Sequence, residues 1–275
     1  MDKKRILIVT HELDPYVMES AAADIVRKLA GKAQEKELDI RILMPRFGSI
    51  NERRHRLHEV VRLSGINIII EDDDYPLVIK VASLPGARMQ VYFLDNEDFF
   101  KRKTTYKDEE GNLHDDNAAR MVFFCRGVLE TVKKFGWAPD IIHCHGWMSS
   151  LIPLFLRTAY SKDPIFEHGQ ILYSVYDNCF EGELLSNFND KALINRVEAE
   201  DLTPYGGATN TELHLGALHY SDAAIVATDN VDTGVMEVLN QKKIPVLGYP
   251  GEEYLEAYTS FYSMLIGAEE ESESE

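Results

Sequence analysis

The chain has 275 residues, of which 45% are hydrophobic and 27% are charged, so it can bury a large core without disulfide or metal staples. Its formal net charge is −17, which disfavours binding to nucleic-acid phosphates and to anionic membrane surfaces. The three cysteines show no CxxC spacing, and this favours reduced thiols over a disulfide framework or a zinc site. The sequence shows no signal peptide and no transmembrane stretch. We therefore expect a cytoplasmic protein with no membrane or nucleic-acid partner, no metal and no other cofactor.

The first predicted unit is a strand, a loop and a helix near the N-terminus. The apolar run at residues 5–9 is typical of a strand covered on both faces, as in a parallel sheet. A polar loop continues through Pro15, and a helix follows from about Glu19 or Ser20, where Ser20 can cap it. Such a unit places its loop at the carboxyl edge of a sheet, where α/β proteins bind ligands. A second predicted strand at residues 38–44 completes a right-handed crossover.

The remaining elements alternate in the same way, with one insertion. Short β-rich runs broken by glycine, proline and acidic turns predict inserted β-hairpins over residues 57–94. Residues 95–115 are predicted to form a polar loop, and residues 180–207 an irregular segment. The pattern predicts an α/β protein with an open, mainly parallel three-layer sheet and a β-hairpin insertion. The other predicted strands lie at 138–147, 169–176, 222–227 and 244–247, and the other predicted helices at 117–136, 148–157, 211–220, 230–240 and 252–265.

Two histidines at the end of one predicted strand form the most suggestive chemical pattern. His143 and His145 are two residues apart on the strand and therefore point to the same face. Paired imidazoles at a sheet edge could act as acid and base or bind a metal, although no further ligand stands nearby at ligand spacing. The alternative is that both histidines are hydrogen-bonded to neighbouring loops.

His11 and Glu12 end the first predicted strand, so the topology places them at the same crevice as the histidine pair. His11 could be a general base that Glu12 orients, or both residues could tie the loops together. Asn117 follows two aspartates and could belong to a carboxylate cluster or to the cap of the next helix. Gly206 and Gly207 could let the backbone approach a ligand or form a plain turn.

Familiar phosphate-binding and catalytic motifs are missing from the sequence. The first loop, VMESAAA, contains no glycine and matches neither GxGxxG nor a Walker pattern. The chain also has no GxSxG and no HExxH. The sequence therefore predicts no standard phosphate cradle at this edge.

Six segments, taken in order, resemble the N-terminal domain of bacterial glycogen synthases and plant starch synthases. They are ILIVTHELDPY, ILMPRFG, YKDEEGNLHDDNAARMVFF, DIIHCHGW, LYSVYDNCFEG and GALHYSDAAIVAT. The resemblance implies a Rossmann-like domain that is half of a two-domain glycosyltransferase fold. It also implies the family reaction, the transfer of glucose from ADP- or UDP-glucose to an α-1,4-glucan. On this basis we expect the domain at residues 1–248, a closing amphipathic helix at 249–267 and an acidic disordered tail at 268–275.

The sequence departs from the family pattern where the resemblance places the donor-binding and catalytic groups. The family loop Lys-x-Gly-Gly-Leu is replaced by Met18, Ser20 and Ala21 at the matching positions. Met18 offers no charge to a diphosphate, and losing one transition-state donor commonly slows a reaction about 100-fold or more. We therefore expect a weak or inactive enzyme as a lone chain. The residues that the resemblance assigns to the acceptor side are Glu12, His145, Tyr176 and Asp177, with Trp147 as a further cleft candidate.

The sequence leaves three hypotheses open. In the first, the chain is a degenerate glycosyltransferase domain, and a partner protein or a second copy supplies the missing half, because the family's second domain has no counterpart in these residues. The second hypothesis is a non-catalytic module that binds a glucan or a protein partner. The third is a single-domain α/β enzyme that uses His11, His143 and His145 on a small sugar.

Overall fold

The structure, a computed structural model, describes residues 3–184 and 187–272. One sheet runs through it, and its order is β10-β9-β8-β7-β1-β2-β6-β5-β3, with β4 paired to β5. Pairings from β10 to β6 are parallel, whereas β3, β4 and β6 pair with β5 in antiparallel fashion. The predicted open, mainly parallel sheet with a hairpin insertion is thus confirmed. The strands are β1 (Arg5–Val9), β2 (Asp39–Pro45), β3 (His58–Glu59), β4 (Ile66–Ile70), β5 (Asp73–Ser83), β6 (Gln90–Asp95), β7 (Ile141–His145), β8 (Gln170–Val175), β9 (Ala223–Val226) and β10 (Val246–Leu247).

Helices and loops cover the centre of the sheet, where β7 and β9 are buried along their whole length. No helix in the described ranges is long and apolar enough to cross a membrane. The helices are α1 (Ala21–Glu35), α2 (Glu52–His55), α3 (Glu97–Phe100), α4 (Asn117–Phe135), α5 (Leu151–Arg157), α6 (Phe188–Ala192), α7 (Asn210–His219), α8 (Thr233–Gln241) and α9 (Tyr254–Ser272), with 3₁₀ turns at Trp147–Ser149, Ala199–Tyr205 and Gly251–Glu253.

Local capping explains where several helices begin. Ser20 caps α1 as predicted, because its hydroxyl accepts a hydrogen bond from the Ala22 N–H at 3.1 Å. Helix α7 begins after a reciprocal capping box between Thr209 and Glu212, one residue before the predicted start. The predicted helix 148–157 is split into a 3₁₀ turn and α5. Pro153 falls within the first turn of α5, where its missing N–H leaves no bond unmade.

Helix α9 closes the molecule against α1 and is longer than predicted. Tyr258 and Tyr262 are buried, and Glu256 forms an ion pair with Lys32 of α1. The helix ends at Ser272, so residues 268–272 of the predicted tail fall within its bounds. The rest of that predicted tail, residues 273–275, lies outside the described residues.

The chain order of the strands creates a crevice beside β1. The strands that follow β1 in the chain, including β2, β5 and β6, lie on one side of it in the sheet. The later strands β7, β8 and β9 lie on its other side. Val9 and Cys144 are register partners on β1 and β7, so the residues that follow both strands meet at one edge. Ligands of open α/β sheets bind at such a reversal of strand order, beyond the carboxyl ends of the strands.

Candidate functional site

A cavity of about 70 Å³, here called the cleft, lies at the carboxyl ends of β1, β7 and β8 and beside the start of α1. It brings together residues that the sequence placed there from four separate segments. No lysine or arginine is among the described residues that line it. The lining consists of His11, Glu12, Ser20, Ala21, Ala22, Gly146, Trp147, Tyr176, Asp177, Cys179, His214 and Thr228.

The Glu12 carboxylate is held by the segment that leads into α1. It accepts hydrogen bonds from the backbone N–H groups of Glu19 at 2.9 Å and Ser20 at 2.6 Å, and from the Ser20 hydroxyl at 3.0 Å. His11 Nε2 lies 3.3 Å from Glu12 Oε1. Burial by itself would raise the pKa of Glu12, but His11 and the two N–H groups outweigh it, and the pKa is lowered. Glu12 is therefore an internal anion at the positive end of α1.

His145 lies directly behind the cleft wall, and its Nδ1 shares a 2.7 Å hydrogen bond with the Tyr176 hydroxyl. Burial lowers the pKa of His145 to about 3, and burial raises the pKa of Tyr176 well above its ordinary value. Both groups are consequently neutral at pH 7. His145 Nε2 is buried and has no hydrogen-bond partner within the described residues. So low a pKa makes His145 a poor general base near neutral pH.

His143 does not line the cleft. Its Nδ1 lies 2.6 Å from the Tyr262 hydroxyl of α9, and its Nε2 lies 2.7 Å from Ser174 Oγ of β8. The rings of His143 and His145 stack with centroids 3.8 Å apart, and burial lowers the pKa of His143 well below its ordinary value. No group of three or more potential metal-ligating side chains is found within the described residues. The geometry therefore favours a structural role for His143, as a link between β7, β8 and α9.

Gly146 and Trp147 form the wall opposite Glu12. Gly146 has φ +73°, and a Cβ atom there would lie 3.1 Å from His11 Cε1, so the close approach and the backbone angle both favour glycine. The Trp147 ring packs edge-on against His11 at a centroid distance of 5.7 Å. Its Nε1 is buried without a hydrogen-bond partner in the described part of the chain.

Besides His143 and His145, four predicted site residues lie outside the cleft lining. The Asn117 amide donates to the Tyr106 carbonyl at 2.8 Å and accepts from Arg120 at 2.9 Å, so it ties a loop to α4. Gly206 and Gly207 pack against the side chains of Glu212 and Glu183. Met18, at the position of the family lysine, is 67% exposed.

The cleft also contains residues that the sequence did not single out. His214 of α7 is held by the Tyr173 hydroxyl at 2.9 Å and by Asn210 at 3.2 Å, and burial lowers its pKa to about 3. Burial raises the pKa of Cys179 to about 12. Thr228 accepts a hydrogen bond from the Asp177 N–H at 3.0 Å. The capping box at the start of α7 was a signal that could have placed His214 in the second turn of that helix, because the box fixes where the helix begins.

Two wider pockets adjoin the cleft. The first, here called the outer groove, has a volume of about 1,100 Å³, meets the cleft at Cys179 and is mostly polar. The second, here called the acidic pocket, has a volume of about 400 Å³ and meets the cleft at Ala21, Asp177 and Thr228. Its charged lining residues are all acids within the described ranges: Asp24, Asp177, Asp229 and Glu252.

Comparison with known proteins identifies a matching family and relatives. The model of the family described as the starch synthase catalytic domain matches residues 5–237. A glycogen synthase from Chlorobium phaeobacteroides is 35% identical over 248 residues, which cover 87% of this chain and 50% of that protein. A glycogen synthase from Chlorobaculum tepidum is 34% identical over 265 residues, which cover 96% of this chain and 52% of that protein. The chain thus spans about half the length of these curated relatives.

A solved structure shares the fold. The catalytic domain of starch synthase IV from Arabidopsis thaliana, bound to ADP and acarbose, matches with a TM-score of 0.73 and 20% sequence identity. The match covers 90% of this chain and 51% of that chain. At this level of identity, the likeness shows a common fold for the sheet and its helices.

Proposed function

The chain belongs to the starch synthase catalytic domain family, and we propose that it is a glucan-binding member with little or no glucosyl transfer of its own. The observation that carries the proposal is a cleft without a lysine or arginine among its described lining residues. The family reaction starts from a nucleoside diphosphate sugar, whose charge must be met by cations or backbone N–H donors. Binding of the nucleotide sugar is therefore the step of the family reaction that this cleft supports least.

Two backbone donors just before α1 are already engaged. The N–H groups of Glu19 and Ser20 bind the Glu12 carboxylate, at the helix end where a phosphate would otherwise be stabilised. The acidic pocket beside them adds Asp24, Asp229 and Glu252, which repel a diphosphate. Residues other than those described at the cleft would have to supply the missing cations.

The outer groove has the chemistry that an uncharged glucan requires. It presents the polar side chains of Asn112, Asn178, Thr209 and Thr211, and it is open enough for a chain of sugar residues. These side chains are bonded to their neighbours, so a glucan would share or replace those hydrogen bonds. The charged residues of the described lining are Lys107, Asp115, Glu181 and Glu183. A few polar groups in fixed positions are the usual means of orienting such a ligand. The complex of the Arabidopsis relative with ADP and acarbose motivates a test of both ligand classes on this chain.

The single-domain enzyme that uses three histidines has less support. Both nitrogens of His143 are engaged by Tyr262 and Ser174. The pKa of His145, at about 3, leaves it unsuited to take a proton near neutral pH. His11 alone lines the cleft, and one imidazole beside a carboxylate does not define a reaction.

Titration with maltoheptaose and with ADP-glucose, followed by a glucosyl-transfer assay, tests the proposal. We expect saturable maltoheptaose binding with a Kd on the order of 1 mM, a weak affinity typical of a wet, polar groove. We expect no measurable binding or turnover of ADP-glucose or UDP-glucose. Asn178→Ala should weaken glucan binding, whereas Asn189→Ala on α6, an equally exposed asparagine outside the groove, should not.

The reverse experiment restores the donor loop. Met18→Lys, alone and together with Ser20→Gly and Ala21→Gly, should introduce weak ADP-glucose binding, because it returns a cation to the exposed position of Met18. Turnover of either nucleotide sugar by the unmodified chain would contradict the loss of donor chemistry. Absence of glucan binding would remove the glucan-binding role and leave a partner-binding module.

A further inference from the structure

A basic groove lies at the end of the sheet opposite the cleft. It has a volume of about 480 Å³ and is formed at the amino ends of β2 and β6, before β1 and beside the last turn of α1. We call it the basal groove. Its charged lining residues are Lys3, Arg41 and Arg88, against one acid, Asp39, in a chain whose net charge is −17. The other lining residues are Gln34, Leu38, Ile40, Ser83, Ala87, Met89, Gln90 and Tyr92.

Arg41 is a pre-positioned cation in this groove. Its guanidinium carbon lies 4.4 Å from the ring centroid of Phe135 and 4.6 Å from that of Trp137, so two aromatic rings fix its side chain. The nearest acid, Asp39, accepts a 2.8 Å hydrogen bond from Trp137 Nε1. Arg41 forms no ion pair within the described residues.

The described lining of the basal groove carries more cations than acids, and Arg41 is partly withdrawn from solvent. Burial lowers the pKa of Arg41, Tyr92 and Asp39 act in the opposite direction, and the cations Arg5 and Arg62 add a smaller lowering. Like charges held close together cost free energy, and a bound anion would relieve that cost. The cluster is therefore better matched to a negative ligand than to solvent alone.

Arg88 supplies a second guanidinium on an anchored backbone. The Gln34 amide donates to the Arg88 carbonyl at 2.8 Å, and the Arg88 N–H donates to Gln34 Oε1 at 3.3 Å. The side chain of Arg88 is exposed and makes no ion pair within the described ranges. It can thus close on a ligand from the loop before β6, while Arg41 stays fixed.

We propose that the basal groove binds the phosphate group of a small phosphorylated molecule between Arg41 and Arg88, with Lys3 as a third cation. A planar guanidinium pairs with two phosphate oxygens at once, which makes arginine the preferred partner of this group. The groove volume falls in the range of about 300–1,000 Å³ typical of small-molecule sites. Gln90 and the Tyr92 hydroxyl lie beside the cations and suit the hydroxyl groups of a phosphate ester.

The two tryptophans of the chain make the test specific to a site. Trp137 lies at the basal groove and Trp147 in the cleft, so each indole N–H signal in a ¹H–¹⁵N spectrum reports on one of them. Titration with glucose 1-phosphate should shift the Trp137 signal in a saturable way and leave the Trp147 signal in place. Glucose, which lacks the phosphate, should shift neither signal. A second titration uses inorganic phosphate. If it binds as tightly as glucose 1-phosphate, judged from the Trp137 shift, the site is assigned to free phosphate. If it binds more weakly, the site is assigned to the phosphate ester.

Matched arginine variants complete the experiment. Arg88→Gln should weaken binding about tenfold or more, because it removes a charge-assisted contact. Arg53→Gln makes the same change at an exposed arginine of α2 and should alter the Kd by less than about twofold. Equal effects of the two variants would overturn the proposal. So would the absence of a saturable Trp137 shift below about 10 mM, where affinity is too low to indicate a site. Failure of maltoheptaose binding would leave this result intact, because the outer groove shares no lining residue with the basal groove and its test does not use the Trp137 signal.

Discussion

The two ends of the central sheet use their polar groups in opposite ways. At the carboxyl end, the carboxylate and phenol of the cleft are paired within the chain: Glu12 accepts hydrogen bonds from the N–H groups before α1, and Tyr176 is bonded to His145. The Trp147 Nε1 and His145 Nε2 atoms stay without a partner in the described residues. At the amino end, Arg41 and Arg88 have no carboxylate partner within the described residues. A buried polar group that is already paired gains little from a ligand, whereas an unpaired cation gains a great deal.

Glu12 illustrates the difference most clearly. A carboxylate of the chain itself lies at the positive end of α1, where an anionic ligand could otherwise be stabilised. The internal anion stabilises the fold and lowers the affinity of the same donors for phosphate. Fold stability and donor binding therefore compete at this end of the sheet, but not at the basal groove.

The largest effect that we predict is an acid sensitivity of the carboxyl end. His145 and His214 have pKa values of about 3 in the folded chain, because both are buried, against about 6.5 in the unfolded chain. The unfolded state therefore binds more protons below pH 6.5, and stability falls as the pH is lowered. Each histidine should lower the free energy of unfolding by about 2 kcal/mol between pH 7 and pH 5, and the two together should lower it by about 4 kcal/mol. Urea unfolding at both pH values measures the loss.

Two histidine substitutions separate this effect from general acid denaturation. His214→Gln should reduce the loss of stability between pH 7 and pH 5 by about 2 kcal/mol, because it removes one of the buried histidines whose pKa is lowered in the folded chain. His58→Gln changes an exposed histidine of β3 and should not alter the fall in the free energy of unfolding between pH 7 and pH 5. A pH dependence that both variants share with the parent chain would show that the buried histidines are not responsible.

The second prediction removes the internal anion. Glu12→Ala should lower the free energy of unfolding by about 3 kcal/mol, because two partly buried backbone N–H groups lose their acceptor and His11 loses the carboxylate beside it. Sulfate should then restore part of the stability of the variant, since the freed N–H groups become an anion site, and should not do so for the parent. Urea unfolding with and without sulfate tests both statements.

A glutamate of α1 provides the control. Glu35→Ala changes a side chain that is 73% exposed and should alter stability by less than about 0.5 kcal/mol. If Glu12→Ala lowered the free energy of unfolding as little as Glu35→Ala, the Glu12 carboxylate would not be needed for stability. The cleft would then no longer differ from the basal groove in the way proposed.

Much of the fold follows from local pattern. The apolar run of β1 and the capping serine before α1 are short-range signals, and both led to correct elements. The resemblance to a family and the rule that parallel strands end at one edge also placed Glu12, Trp147 and Tyr176 together.

Contacts between distant segments were not predictable in this way. Tyr262 lies 119 residues after His143, and only the packing of α9 brings its hydroxyl to that imidazole. The basal groove joins Lys3, Arg41 and Arg88, which share no motif and meet only through the pairing of β1, β2 and β6. Sequence spacing carries no information about either arrangement.

The smallest predicted effect concerns the charge of the cleft mouth. Asp177 is exposed and lines both the cleft and the acidic pocket, so Asp177→Asn removes one negative charge from the path of an anion. An exposed charge of this kind is worth about 0.2–1 kcal/mol. Added to the Met18→Lys chain, in which weak ADP-glucose binding is expected, the change should raise ADP-glucose affinity, read from the Trp147 indole signal, about two- to threefold at low salt. Salt should abolish the gain in affinity, because solvent-exposed charges are screened within about 10 Å at 0.1 M.

Asp98→Asn, which changes an exposed aspartate of α3, should have no effect on the affinity at either salt concentration. A gain that persisted in high salt would indicate a new direct contact instead, and the cleft would then owe its weak donor affinity to shape more than to charge.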